Sequence, residues 1–134
     1  MSKILEIKEV YDVEIPRHYD DYEGYKIVTE KDTYYFLISS FQRCCENYGY
    51  ISSNDNLEDY IGLELLSIDV VDNACNKITN FLNEENICEA ECMFINLKFK
   101  FDELQFAVYN SHNGYYGHSV LFIKNNEDII DGGL

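Results

Sequence analysis

The sequence predicts a mostly antiparallel β domain with minor helix, an α+β chain built of β-hairpins that ends in a three-strand meander. Three observations lead there. In several runs apolar residues recur at every second position, the period at which a strand buries one face. Short connections rich in Asn, Gly and acids separate those runs, as hairpin turns require. Only Ala74 to Leu82 has helical spacing, with Ile78, Phe81 and Leu82 on one side.

Residues 3–10 alternate well enough for a short strand. Tyr25 to Thr29 and Tyr34 to Ser39 are β-rich runs separated by Glu30-Lys31-Asp32, which predicts a hairpin. NLEDYIG, from Asn56 to Gly62, reads as a helical turn capped by Asn56 and ended by Gly62. Glu64 to Val71 reads as a further strand, with Leu66, Ile68 and Val70 facing one way. After the short helix, NEEN is a loop. Met93, Ile95, Leu97, Phe99 and Phe101 then alternate with Phe94, Asn96, Lys98 and Lys100. Past Asp102-Glu103, Leu104, Phe106 and Val108 alternate again. Asn110 to Gly114 is a turn, because Asn-Gly supplies positive φ, and a strand runs from Tyr115 to Ile123. These last three strands are the predicted meander. No sequence repeat is evident. One domain spans residues 1–134, with 125–134 as a mobile tail.

At 134 residues the chain can bury a core without disulfides or metal. Its 46% apolar content, with 12 Tyr and 8 Phe, excludes a disordered chain. The 25 acids against 10 bases leave a net charge of −15 and a pI near 4.3. Such a chain repels nucleic acid and anionic membrane, so neither is an expected direct partner. MSKILEIKEV lacks the basic and apolar regions of a signal peptide, and no apolar run approaches the roughly 20 residues of a spanning helix. Five cysteines, an odd number, suit a reducing compartment. The expected location is the cytoplasm. The bias towards Asn, Ile, Lys and Glu is what AT-rich coding sequence produces, pointing to a low-GC bacterium or its phages.

Candidate chemistry centres on QRCCENYGY, Gln42 to Tyr50. A strand would send Cys44 and Cys45 to opposite faces, and a disulfide between neighbours closes a strained ring. A cysteine nucleophile needs a nearby cation, imidazole or helix N-terminus. Arg43 is adjacent, but Glu46 and the net negative charge raise a thiol pKa. Packing is the reading this favours. Cys88 and Cys92, with Cys44, Cys45, His112 or His118, lack the paired short spacings of structural zinc sites, so no metal is expected. SNDNLEDYIGLE lacks the order of a calcium loop, and no phosphate-binding loop or G-x-S-x-G element is present. No acid/base constellation emerges, so neither catalytic residues nor cofactors are assigned.

The acids are more informative. From Glu46 to Glu91 the chain carries 11 of them against one base, Lys77. HYDDYEGY adds Asp20, Asp21 and Glu23 among rings. A field of one sign steers basic partners, and tyrosines supply flat amphipathic contact area. Simple solubility accounts for the same acids. The candidate acidic interaction face comprises Asp20, Asp21, Glu23, Asp55, Glu58 and Asp59.

Three signatures occur in order: Gln42, Cys44, Cys45 and Glu46 as Q-x-C-C-E; Leu57 to Gly62 as LEDYIG; and Asn113, Gly114, Tyr115 and Tyr116 as N-G-Y-Y entering a strand that ends VLF. Over roughly residues 25–123 this resembles a family of small phage and bacterial domains of unknown function. The family pattern is Q-D-C-C-E, then D-L-I-G, then S-N-G-Y-Y-S-x-S-V. Arg43 replaces the usual acid, His112 stands where Ser is frequent, and the tryptophan common before N-G-Y-Y is missing. The resemblance implies a fold and a phage setting, with the signature residues in structural roles, and it carries no reaction.

Two functions follow as expectations. The first is a non-catalytic phage accessory protein that inhibits a host defence factor, such as a CRISPR nuclease. It would bind a basic or nucleic-acid-binding protein of host or phage in the place of phosphates. The second is a small-molecule module that sequesters a nucleotide defence signal, for which Arg17, Lys26, Lys31, Arg43, Lys98 and Lys100 are the few available cations. An enzyme using Cys44 or Cys45 is a poorer third.

Overall fold

A computed structural model describes residues 2–16, 18, 20–40, 47–84, 91–111 and 119–134. In chain order the strands are β1 (Ser2–Glu14), β2 (Asp21–Thr29), β3 (Thr33–Ser39), β4 (Asn47–Ser52), β5 (Glu64–Leu65), β6 (Ser67–Val71), β7 (Glu91–Lys98), β8 (Glu103–Ser111), β9 (Ser119–Lys124) and β10 (Glu127–Gly133). A 3₁₀ turn, Leu57–Tyr60, precedes β5, and helix α1, Asn76–Glu84, follows β6. The strands form two antiparallel sheets, ordered β10-β9-β3-β2-β1-β5 and β4-β8-β7-β6.

Alternation along the strands builds three layers of apolar packing. Ile27, Phe36, Ile38, Val120 and Phe122 of the first sheet meet Ile95, Leu97, Leu104, Phe106 and Val108 of the second in one buried core. Residues of opposite parity, Tyr22, Leu37, Leu121 and Ile123, form a smaller cluster on the outer face of the first sheet. On the outer face of the second, Phe94 and Ala107 pack under Ile78 of α1. Gln105, buried on that face, accepts a hydrogen bond from the Cys75 backbone N–H at 2.7 Å and donates to the Asn73 carbonyl and to Asn96 Oδ1. It ties the start of the helix to β8.

Strand β1 is longer than residues 3–10 because it tolerates two bulges, each one extra residue against β2. The first, near Leu5, lets both Ile4 and Ile7 enter the core. The second lies between Val10 and Val13, where Asp12 takes φ 52°, and it turns both valines to the outer cluster. Opposite it sits Gly24, with φ 151° and room for no side chain: a Cβ there would lie 2.1 Å from the Phe36 carbonyl oxygen.

Several expectations need adjustment. The predicted strand Glu64 to Val71 is two strands, because the chain crosses between sheets at Leu66: Leu65 pairs with Ser2 and Ser67 with Lys98. Leu66 and Val70 are consequently exposed, and Ile68 packs partly on the core. Phe101 falls in the β7–β8 connection and is 90% exposed. Asn56 gives the 3₁₀ turn no side-chain cap; its amide donates to Asp59 Oδ1 instead, while Gly62 ends the turn at φ 89°. Strands β7 and β8 form the expected hairpin, whereas β9 hydrogen-bonds in the other sheet between β3 and β10. The predicted tail holds β10, turned back onto β9 through Asn125 and Asn126 at positive φ. Gln42, Cys44, Cys45, Glu46, Cys88, His112, Asn113, Gly114, Tyr115, Tyr116 and His118 lie outside the described residues. Among the described residues no helix is long and apolar enough to cross a membrane.

Candidate functional site

At one edge of the sandwich, β1, β2 and β4 approach the 3₁₀ turn and leave a cleft of about 470 Å³. Tyr25 and Tyr50 supply the rings of its lining, and they belong to a longer ladder that continues to Phe106 on one side and Tyr11 on the other. Tyr25 of β2 stacks on Phe106 at 4.0 Å between centroids, Tyr50 of β4 meets Tyr25 edge-on at 5.2 Å, and Tyr11 lies 6.4 Å from Tyr50. The ladder runs from the buried core to solvent: Tyr25 is 2% exposed and Tyr11 60%. Tyr11 occupies the second β1 bulge, so the distortion that re-aims the valines also sets its position.

The rim is acidic. Glu9, Asp55 and Glu58 line the cleft with Ser52 and Asn56, and the Tyr11 hydroxyl donates to Glu9 Oε2 at 2.9 Å. Burial is the main reason the Tyr25 and Tyr50 phenols are raised far above the ordinary value. Nearby charge adds to it: Glu9 and Asp55 act on Tyr25, and Glu9 and Glu23 on Tyr50. The cation among the described lining residues is Lys8, whose ammonium lies 3.2 Å from Glu6 Oε1, an oxygen that Lys26 also approaches at 3.6 Å. These lysines hold the Glu6 carboxyl below its usual range, Lys8 foremost. The result is a concave, ring-walled site of negative potential.

The acids proposed from sequence therefore divide between places. Asp55 and Glu58 rim this cleft, Glu23 lies close enough to bias Tyr50, and Asp59 turns to Asn56. Asp20 and Asp21 line a separate hollow with Glu14 and His18. The division follows from position along the chain: Asp20 and Asp21 stand at the start of β2, near Pro16 and His18, whereas Asp55 and Glu58 belong to the segment at the 3₁₀ turn. Glu9, Tyr11 and Tyr50 were not singled out from sequence, and nothing in their spacing signals that they meet.

Beside the hollow, His18 Nε2 sits 3.2 Å from Asp128 Oδ2, and one ligand atom each from His18, Asp128 and Asp131 falls within 4.8 Å of the others. A one-residue bulge in β10 between Asp128 and Ile130 puts the two aspartates on one face. The Tyr22 ring holds the imidazole edge-on at 6.0 Å. One imidazole and two carboxylates suit a divalent cation, and the same geometry makes an ordinary His–Asp hydrogen bond. Burial pushes the Cys92 thiol up to about 11, the opposite of an activated nucleophile.

A family model described as Domain of unknown function (DUF7448) matches residues 2–122. No curated protein and no solved structure matches the chain. The family match covers nearly all of the stretch over which the sequence motifs show their resemblance, and its description carries no activity.

Proposed function

The chain belongs to the DUF7448 family, and from that premise we propose that it is a non-catalytic binding protein whose acidic, tyrosine-bearing cleft docks on a basic, nucleic-acid-handling protein. The observation that carries this reading is the convergence of Glu9, Asp55 and Glu58 around Tyr25 and Tyr50, on a chain of net charge −15. Carboxylates held on a concave rim meet the cations that ordinarily meet phosphates, and the chain's overall field speeds that encounter. In the phage setting that the motif resemblance implies, the partner is a host defence factor, such as a CRISPR nuclease, and the outcome is inhibition. Sequestration of a nucleotide signal is less favoured, because the same rim repels phosphate.

The experiment is native mass spectrometry on tagged protein from a host lysate, followed by competition between this protein and duplex DNA for the recovered partner. Displacement of DNA that weakens with salt, and that fails in the Asp55→Lys/Glu58→Lys variant, supports the reading. Full inhibition by that folded variant argues against it. A homo-oligomer carrying a small extra mass would favour the sequestering module.

A further inference from the structure

Resting on the reading above, we propose that the Tyr50 cleft is a receptor for a single arginine side chain presented by the protein partner. Three features select that chemistry. The cleft has an aromatic wall, and a guanidinium binds the face of a tyrosine ring through the negative π cloud while its flat apolar surface packs on it. It also has carboxylates from separate elements, Glu9 on β1 and Asp55 and Glu58 at the 3₁₀ turn, which accept the donors along the guanidinium edge. Finally, the ring wall is firmly backed: Tyr50 is braced by Tyr25, which stacks on Phe106 in the core. A backed wall avoids much of the ordering cost of binding.

The same features disfavour other occupants. A phosphate would face the three carboxylates. A lysine ammonium finds the charge but cannot match a planar ring and several acceptors at once. Lys8, the cation at the wall, pairs with Glu6 Oε1 at 3.2 Å, so one positive charge stands there against the three carboxylates of the rim.

The test uses the intact protein and three peptides of one sequence, carrying arginine, citrulline or lysine at the central position, with affinity and contact site read by NMR titration. Citrulline keeps the shape and removes the charge. The expected result is that the arginine peptide shifts Tyr11, Tyr50 and Asp55 resonances, that citrulline shifts none of them, and that lysine binds about 3- to 10-fold more weakly. Tyr50→Phe keeps the ring and retains binding, whereas Tyr50→Leu weakens it by about 3- to 10-fold. The surface pair Asp55→Asn/Glu58→Gln, which leaves the ring ladder intact, also weakens it, and Asp20→Asn/Asp21→Asn does not. Arginine shifts centred elsewhere, equal binding of citrulline, or an unaffected and folded Tyr50→Leu would each overturn the proposal. The two readings fail separately. If the acid variants release a protein partner but Tyr50→Leu does not, the docking function stands and the arginine receptor falls. If arginine binds at Tyr50 but no basic partner is captured or inhibited, the receptor stands and the docking function falls.

Discussion

Tyr25 stacks on Phe106 with ring centroids 4.0 Å apart and planes 16° from parallel, so the ring that walls the cleft is also a joint between the two sheets. Removing it should damage both. Tyr25→Ala is expected to cost about 3–5 kcal/mol, the range for emptying a large buried aromatic site. Tyr25→Phe keeps the stack and removes only the hydroxyl, for a smaller expected loss of about 1 kcal/mol. Urea denaturation of the two variants measures the difference, and near-equal losses would show that the stack contributes little.

How far the sequence revealed this can be judged strand by strand. The Tyr25 to Thr29 and Tyr34 to Ser39 hairpin was legible because alternation and a turn are local signals. The β1 bulges were not, since Ile4 with Ile7, and Val10 with Val13, break the period of two by one residue each. Glu64 to Val71 looked continuous because a strand that changes sheets keeps its β-forming residues through the crossing. Two of the three rim carboxylates, Asp55 and Glu58, were visible as acids in NLEDYIG and its neighbours. The rest depends on bringing Glu9 and Tyr11 against Tyr50, a meeting set by sheet packing and invisible to spacing.

Gly24 marks one such non-local constraint. Because a Cβ would meet the Phe36 carbonyl oxygen at 2.1 Å, and φ is 151°, Gly24→Ala should force β2 away from β3 opposite the bulge. A loss of about 2–3 kcal/mol or more is expected from strain and a disturbed ladder. Gly62, at φ 89° but with open space around it, should tolerate Asn far better than Gly24 tolerates Ala. Thermal unfolding of both variants tests the contrast.

Alkaline pH should unfold the protein through its tyrosines. Tyr22, Tyr25, Tyr34, Tyr50 and Tyr60 all have phenols raised above the ordinary 10.0, burial being the first cause in each. The native state therefore keeps protons that the unfolded chain releases near pH 10. Their stabilising contribution is complete below that pH and is lost as pH rises through it towards the folded values. With 12 Tyr and no Trp, phenolate absorbance reports this directly. One set should ionise reversibly in the native protein and a second only together with loss of the sheet signal. A single native transition for all tyrosines would refute the expectation.

Gln105 makes the sharpest local prediction, because its 4%-exposed amide serves three partners from one buried position on β8. Gln105→Met keeps much of the volume but strands the Cys75 N–H, the Asn73 carbonyl and Asn96 Oδ1, for an expected cost of about 2–3 kcal/mol. The damage should be uneven. Thr79, whose N–H bonds the Cys75 carbonyl in the first turn of α1, is expected to lose hydrogen-exchange protection, while Phe106 and Val108 in the same β8 ladder keep theirs. Equal loss across helix and strand would mean that Gln105 supports the sheet itself and not the docking of α1.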